Sequence, residues 1–148
     1  MTPQAVRERL AEIYAAVDAA VAQAAPRCDA SGKCCRFEEY GHTLFLSQFE
    51  AEILLESAPP FAVPASRSGC PFQVGGLCTA RAERPLGCRI YFCDPAYQDT
   101  GNAITEGALK SLKSLADDAG AGWRYAPLHA FLNESARPQD TRISLPLA

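Results

Sequence analysis

All seven cysteines of this 148-residue chain lie between Cys28 and Cys93. They read Cys28-x5-Cys34-Cys35, then Cys70-x7-Cys78-x9-Cys88-x4-Cys93. A middle segment this rich in thiols must either gather them around something or bury each as a small apolar group. The N-terminus, Met1 to Leu10, mixes charges before any apolar run, which is unlike a secretory signal. A cytoplasmic location is therefore expected, where thiols stay reduced and disulfides are mostly transient or catalytic. An odd number of cysteines also leaves one over in a closed disulfide framework. Metal ligation is the expected role of the set, with redox-active thiols and inert buried cysteines as the alternatives.

Length and composition bound the remainder. At 148 residues, with 48% hydrophobic and 21% charged residues, the chain is expected to form one globular domain, 1–148. A formal charge of -3 offers no general attraction to phosphate, so no nucleic-acid partner is expected. No uncharged apolar stretch approaches the ~18 residues of a membrane span.

The pattern of apolar residues predicts mainly α structure. Thr2-Pro3 reads as an N-cap followed by proline at the first helical position. Val6, Leu10, Ile13, Tyr14, Val17 and Val21 then mark one helical face running to about Ala25, ended by Pro26. Residues 42–46 form a short apolar run suited to a strand, at a length where pattern alone does not separate strand from helix. Ser47-x-x-Glu50 is a capping box ahead of a helix of about ten residues. Residues 66–97 are broken by Gly and Pro, so regular structure there is expected to be short. A third helix is predicted over Thr105–Ala119, with Ile104, Ala108, Leu112 and Leu115 on one face and Gly120 as its C-cap. Trp123 to Tyr125 read as extended, Pro127 as the opening of a last short helix, and the tail after Arg137 as loosely held. The expected fold is a small single domain of packed helices with an irregular cysteine-rich metal-binding middle, residues 28–97.

The cysteine spacing excludes a standard zinc ribbon, because no C-x2-C pair occurs. Zinc takes four ligands and favours thiolates; iron–sulfur clusters use thiolates, four for a cubane. Seven thiols exceed either requirement, so two centres share ligands or some cysteines serve otherwise. Arg84 and Arg89 lie close to the thiols in sequence. They either balance a negative metal–thiolate centre or tie loop carbonyls and carboxylates together; for Arg36 and Lys33 the structural role is favoured. Isolated His42 and His129 are read as structural, Glu38 and Glu39 as an exposed acidic turn, and Tyr91 and Tyr97 as shields beside Cys93. Gly75-Gly76 reads as turn geometry, and no phosphate loop or hydrolase motif occurs.

Cys70-Pro-Phe, Cys78, Arg84-Pro85 and Cys88-Arg89, following Cys34-Cys35, resemble the YkgJ-like (CxxCxxCC) cysteine-cluster family, described as zinc- or iron-chelating. The similarity covers roughly residues 28–93. Two positions depart from the pattern: Ser31 stands where the first motif has its second cysteine, and Cys93 is added after Cys88. The clustering makes Cys28, Cys34, Cys35, Cys70, Cys78, Cys88 and Cys93 the candidate metal ligands, with Arg84 and Arg89 around them; of these cysteines, the resemblance matches Cys34, Cys35, Cys70, Cys78 and Cys88 position by position. An iron–sulfur cluster is favoured over zinc: thiols are many, nitrogen ligands are absent, and a related motif occurs in flagellin lysine methylases thought to hold such a cluster. The implied roles are electron or metal transfer, with an unknown redox or protein partner, or a structural site. The alternatives are a metal-dependent modification enzyme and a thiol redox switch.

Overall fold

Thr2 begins the first helix as its pattern predicts. Its Oγ1 accepts from the Ala5 N–H at 3.1 Å, Pro3 occupies the first turn, and helix α1 runs Pro3–Ala24. Leu10, Tyr14, Val17 and Val21 are its buried stripe. Ala25, at φ 49°, turns the chain out of the helix while its N–H still bonds the Val21 carbonyl at 2.9 Å. The computed structural model describes residues 1–27, 43–65, 69–74, 77–78, 80, 83–92 and 94–135, and over these the chain is mainly helical.

Strand β1 (Phe45–Ser47) pairs antiparallel with β4 (Tyr125–Pro127), Leu46 opposite Ala126. Helix α2 (Gln48–Ser57) leaves β1 directly through the Ser47–Glu50 capping box. Residues 58–65 lead to a small hairpin, β2 (Gln73–Val74) and β3 (Leu77–Cys78), with Gln73 opposite Cys78. A short helix α3 (Leu86–Ile90) and a 3₁₀ turn (Pro95–Tyr97) bring the chain into α4 (Gln98–Asp118), and α5 (Leu128–Ser135) follows β4.

Two apolar clusters organise these elements. In the first, the α1 stripe meets Ala108, Leu112 and Leu115 of α4, together with Leu86 and Ile90 of α3 and Tyr97. The second gathers Leu44 and Leu46, the α2 residues Ala51, Leu54 and Leu55, then Phe61, Phe72, and Leu128, Phe131 and Leu132 of α5. Helix α2 serves both, since its Phe49 and Ile53 pack against the first cluster. The predicted packing of the long first and third helices is thus the α1–α4 contact.

Two predicted boundaries differ. Helix α4 starts at Gln98, not Thr105. Asp94 accepts from the Ala96 N–H at 3.0 Å and Pro95 takes the first position, so the 3₁₀ turn and helix form one continuous run. The strand over 42–46 is Phe45–Ser47, and His42 lies outside the described residues. At the far end of α4 the predicted glycine stop is in place. Gly120 has φ +70°, its N–H bonds the Asp117 carbonyl at 3.1 Å, and Ala121 N–H bonds Ala116 at 2.9 Å. The tail after Arg137 lies outside the described residues.

Candidate functional site

Three of the seven cysteines fall among the described residues. Cys70, Cys78 and Cys88 are half-buried and are not joined to one another by disulfides. The hairpin sets the first two: the Cys70 carbonyl accepts from Gln73 N–H at 3.2 Å, and Gln73 is the cross-strand partner of Cys78. Phe72, 2% exposed and edge-to-face with Phe61 at 5.9 Å, pins this hairpin to the second core cluster. Cys88 stands in α3, its N–H bonded to the Pro85 carbonyl at 3.1 Å. Cys70 and Cys88 both pack against the second cluster.

Cys28, Cys34, Cys35 and Cys93 lie outside the described residues, as do Lys33, Arg36, Glu38, Glu39, Tyr40, His42 and Gly75-Gly76. Positions flanking two of those cysteines are nonetheless joined. Arg27 N–H, one residue before Cys28, donates to the carboxylate of Asp94, one residue after Cys93, at 3.0 Å. Among the described residues no group of three or more His, Cys, Asp or Glu side chains is arranged to hold a metal ion. The donor type present, a thiol, suits zinc or an iron–sulfur cluster. A complete ligand set has to draw on cysteines outside the described residues.

Arg89 reaches in three directions. Its Nε donates to the Arg84 carbonyl at 2.7 Å, a terminal nitrogen pairs with Asp18 at 2.8 Å, and the guanidinium lies 4.0 Å from the Tyr14 ring centroid. These contacts brace α3 against α1. Arg84 Nε is buried and has no hydrogen-bond partner among the described residues. Tyr97 is buried and Tyr91 half-buried, while His129 is half-buried on α5.

A further group beside α3 has no signature in the sequence as a site. Glu50 is 1% exposed, and its carboxylate gathers donors from three elements. One oxygen accepts from the Tyr14 hydroxyl at 3.0 Å and the Leu86 N–H at 2.7 Å. The other accepts from Ser47 N–H and Oγ, each at 2.9 Å. Burial first, and then the Glu50 carboxylate, push the Tyr14 phenol far above its ordinary value, so it remains a proton donor. The capping box was legible, but Tyr14 and Leu86 are each 36 residues from Glu50, beyond any local spacing rule. Glu50 thereby fixes the start of the short helix that carries Cys88.

Among the described residues no helix is long and apolar enough to cross a membrane. No family model, curated protein or solved structure matches the chain.

Proposed function

We propose that this is a cytoplasmic cysteine-ligated metal protein, holding an iron–sulfur cluster in first preference and zinc in second. Its role would be electron or metal transfer, or a structural centre. The observation that carries the reading is that Cys70, Cys78 and Cys88 are half-buried and not joined to one another by disulfides, Cys78 and Cys88 on two short elements and Cys70 just ahead of the hairpin. Such thiols fit a reducing compartment and a soft metal better than a disulfide framework. The hydrogen bond between Arg27 and Asp94 supports the participation of Cys28 and Cys93, whose chain neighbours it holds together. Cys34 and Cys35 complete the candidate set. The order of these elements, which resembles the YkgJ-like family, supports the same reading.

When bound, the metal or cluster would supply electron exchange or a rigid thiolate junction. The protein's part is to keep the thiols from pairing, to exclude water with the second core cluster, and to hold α3 in place through Glu50 and Arg89. Arg84, whose buried Nε has no partner among the described residues, would provide positive charge near the thiolates.

Anaerobic purification followed by elemental analysis and a visible spectrum tests the proposal. Iron and acid-labile sulfide at fixed stoichiometry, with absorption that bleaches on reduction, is the expected result. Stoichiometric zinc in a colourless protein would retain the metal reading and replace the cluster. Protein that is free of metal, with its seven thiols reactive in the native state, would overturn it in favour of a thiol redox switch.

A further inference from the structure

Three aromatic side chains stand out from the β1–β4 ribbon. Phe45 is 39% exposed, and Trp123 and Tyr125 are each 38% exposed. They form one pile, Phe45 on Tyr125 at 5.4 Å and 21° and Tyr125 on Trp123 at 5.8 Å and 15°. Lys113 lies over its far end, 5.6 Å from the Trp123 ring centroid. Stacking covers ring faces and leaves ring edges as the exposed apolar part.

The backbone beside this strip pairs on one side. Among the described residues the sheet has two strands, so β4 has β1 as its neighbour and no other strand. Gln48 N–H bonds the Arg124 carbonyl at 3.2 Å, and Leu128 N–H bonds the Leu44 carbonyl at 2.9 Å. Paired positions alternate along an antiparallel strand, so Arg124, Ala126 and Leu128 direct their backbone groups to β1 and Tyr125 directs its own away. Such an edge is a template for an added strand.

The chain carries a segment that matches it. Ile143-Ser-Leu145-Pro-Leu147 places an apolar residue at every second position, the pattern of a strand with one apolar face. Residues 136–148 lie outside the described residues, but the point from which they depart is close to the strip. Glu134, in the last turn of α5, pairs both carboxylate oxygens with Arg124, the residue between Trp123 and Tyr125. Side chains alternate across an extended chain, so Arg124 occupies the opposite face of the ribbon, with its guanidinium 4.5 Å from the Phe131 ring centroid. Residues 136–142 therefore need only round the edge of β4. Extended, they span up to roughly 23 Å, against about 4.8 Å from strand to strand.

Area decides between this segment and a second copy of the chain. Aromatic side chains present about 150–250 Å² each, so three rings at this exposure leave roughly 170–290 Å² uncovered. A stable association between separate chains takes about 800 Å² from each partner. A tethered segment needs far less, because the linker supplies an effective concentration of roughly millimolar order.

We infer that residues 143–147 dock along the outer edge of β4 as a third strand, with Ile143, Leu145 and Leu147 against the edges of Trp123 and Tyr125. Pro146 fits this register. When positions 143, 145 and 147 direct their backbone groups to β4, position 146 faces outward, where a missing N–H costs no pairing. Proline there also discourages addition of a further strand. The inference does not draw on the metal reading.

Trp123 is the only tryptophan in the chain, so its emission reports on the strip directly. The test compares the full chain with a form ending at Ser135, at equal metal content. In the shortened form Trp123 emission should shift to longer wavelength, acrylamide should quench it more strongly, and the Tyr125 amide should exchange faster. Far-UV circular dichroism should retain the helical content. Ile143→Asp combined with Leu145→Asp in the full chain should produce the same three changes, which separates docking from a general effect of shortening. Ser144→Asp, on the other face of the segment, should produce none of them. Unchanged emission, quenching and exchange in the double variant would overturn the inference, as would a Ser144→Asp variant that matches it. Trp123 emission that varies with protein concentration, together with a dimer in sedimentation, would also overturn it by assigning the strip to a second copy.

Discussion

Glu50 places a carboxylate where the chain is otherwise sealed from water, and the physics of that position is demanding. A buried ionisable group is tolerated only when its hydrogen-bonding capacity is met. Here Tyr14, Leu86 and Ser47 meet it with four bonds. Each bond to a charged group is worth roughly 1.5–3 kcal/mol. Tyr14→Phe should therefore destabilise by about 2 kcal/mol. Glu50→Ala, which strands the Leu86 and Ser47 N–H groups together with the Tyr14 hydroxyl, should cost more than about 3 kcal/mol. Urea denaturation with an unchanged slope would read both, and a Glu50→Ala loss under about 1 kcal/mol would show that α3 does not depend on this carboxylate. The Ser47-x-x-Glu50 signature was readable because it is local. The convergence on it was not, since nothing in the residue types of Tyr14 or Leu86 says that they meet α2.

The elements make the same distinction between local and distant causes. The faces of α1, α2 and α4 were legible, because burial of one helical stripe leaves a period of three and four in the sequence. The start of α4 was not, because its first turn contains Gly101, a poor helix former. Gly101 instead answers to Tyr97, whose ring leaves no space for a Cβ. Gly107, two turns on, is exposed, and a Cβ placed on it would have nothing within 4 Å. Gly107→Ala should therefore stabilise the protein by about 0.5–1 kcal/mol through helix propensity alone. Gly101→Ala should destabilise it despite the same propensity gain. Thermal melts of the two variants check the contrast, and two equal gains would remove Tyr97 as the reason for Gly101. The joint between α1 and the run leading into α4 adds a dependence on pH. N–H groups of Arg27, and then of Ala96, hold the Asp94 carboxyl below its ordinary value. Its folded value thus lies below the unfolded one of about 3.9, so its contribution is complete above that pH and is lost as pH falls through the folded value. The melting temperature of Asp94→Ala should trail the parent at pH 6 and converge with it in strong acid. A gap that widens in acid would reverse the assignment.

At the scale of the whole molecule, stability is distributed unevenly, and that unevenness bears on the metal reading. Helices α1 and α4 are long and bury a continuous stripe against each other, with the predicted cap at each outer end. The cysteine-bearing elements are a hairpin of two-residue strands and a five-residue helix. Such pieces are too short to be stable alone, and isolated two-stranded hairpins are marginal at best. Phe72 gives the hairpin one deep anchor, and Glu50 and Arg89 tie down α3, so both rely on contacts made from outside. Thiolate–metal bonds would add the missing cross-links, since binding free energy at a cysteine site becomes folding free energy. The sequence made the thiols visible as a set. It could not tell which of them meet, because that depends on how the 28–35 and 70–93 stretches are carried by the helices. Removal of metal with a chelator should therefore collapse amide protection first in residues 69–92, while α1 and α4 exchange at nearly unchanged rates. Hydrogen exchange followed by mass spectrometry separates the outcomes. Uniform loss across α1, α4 and the hairpin would mean one cooperative unit in which metal is no local staple, and unchanged protection in 69–92 would mean that the thiols hold nothing that the fold needs.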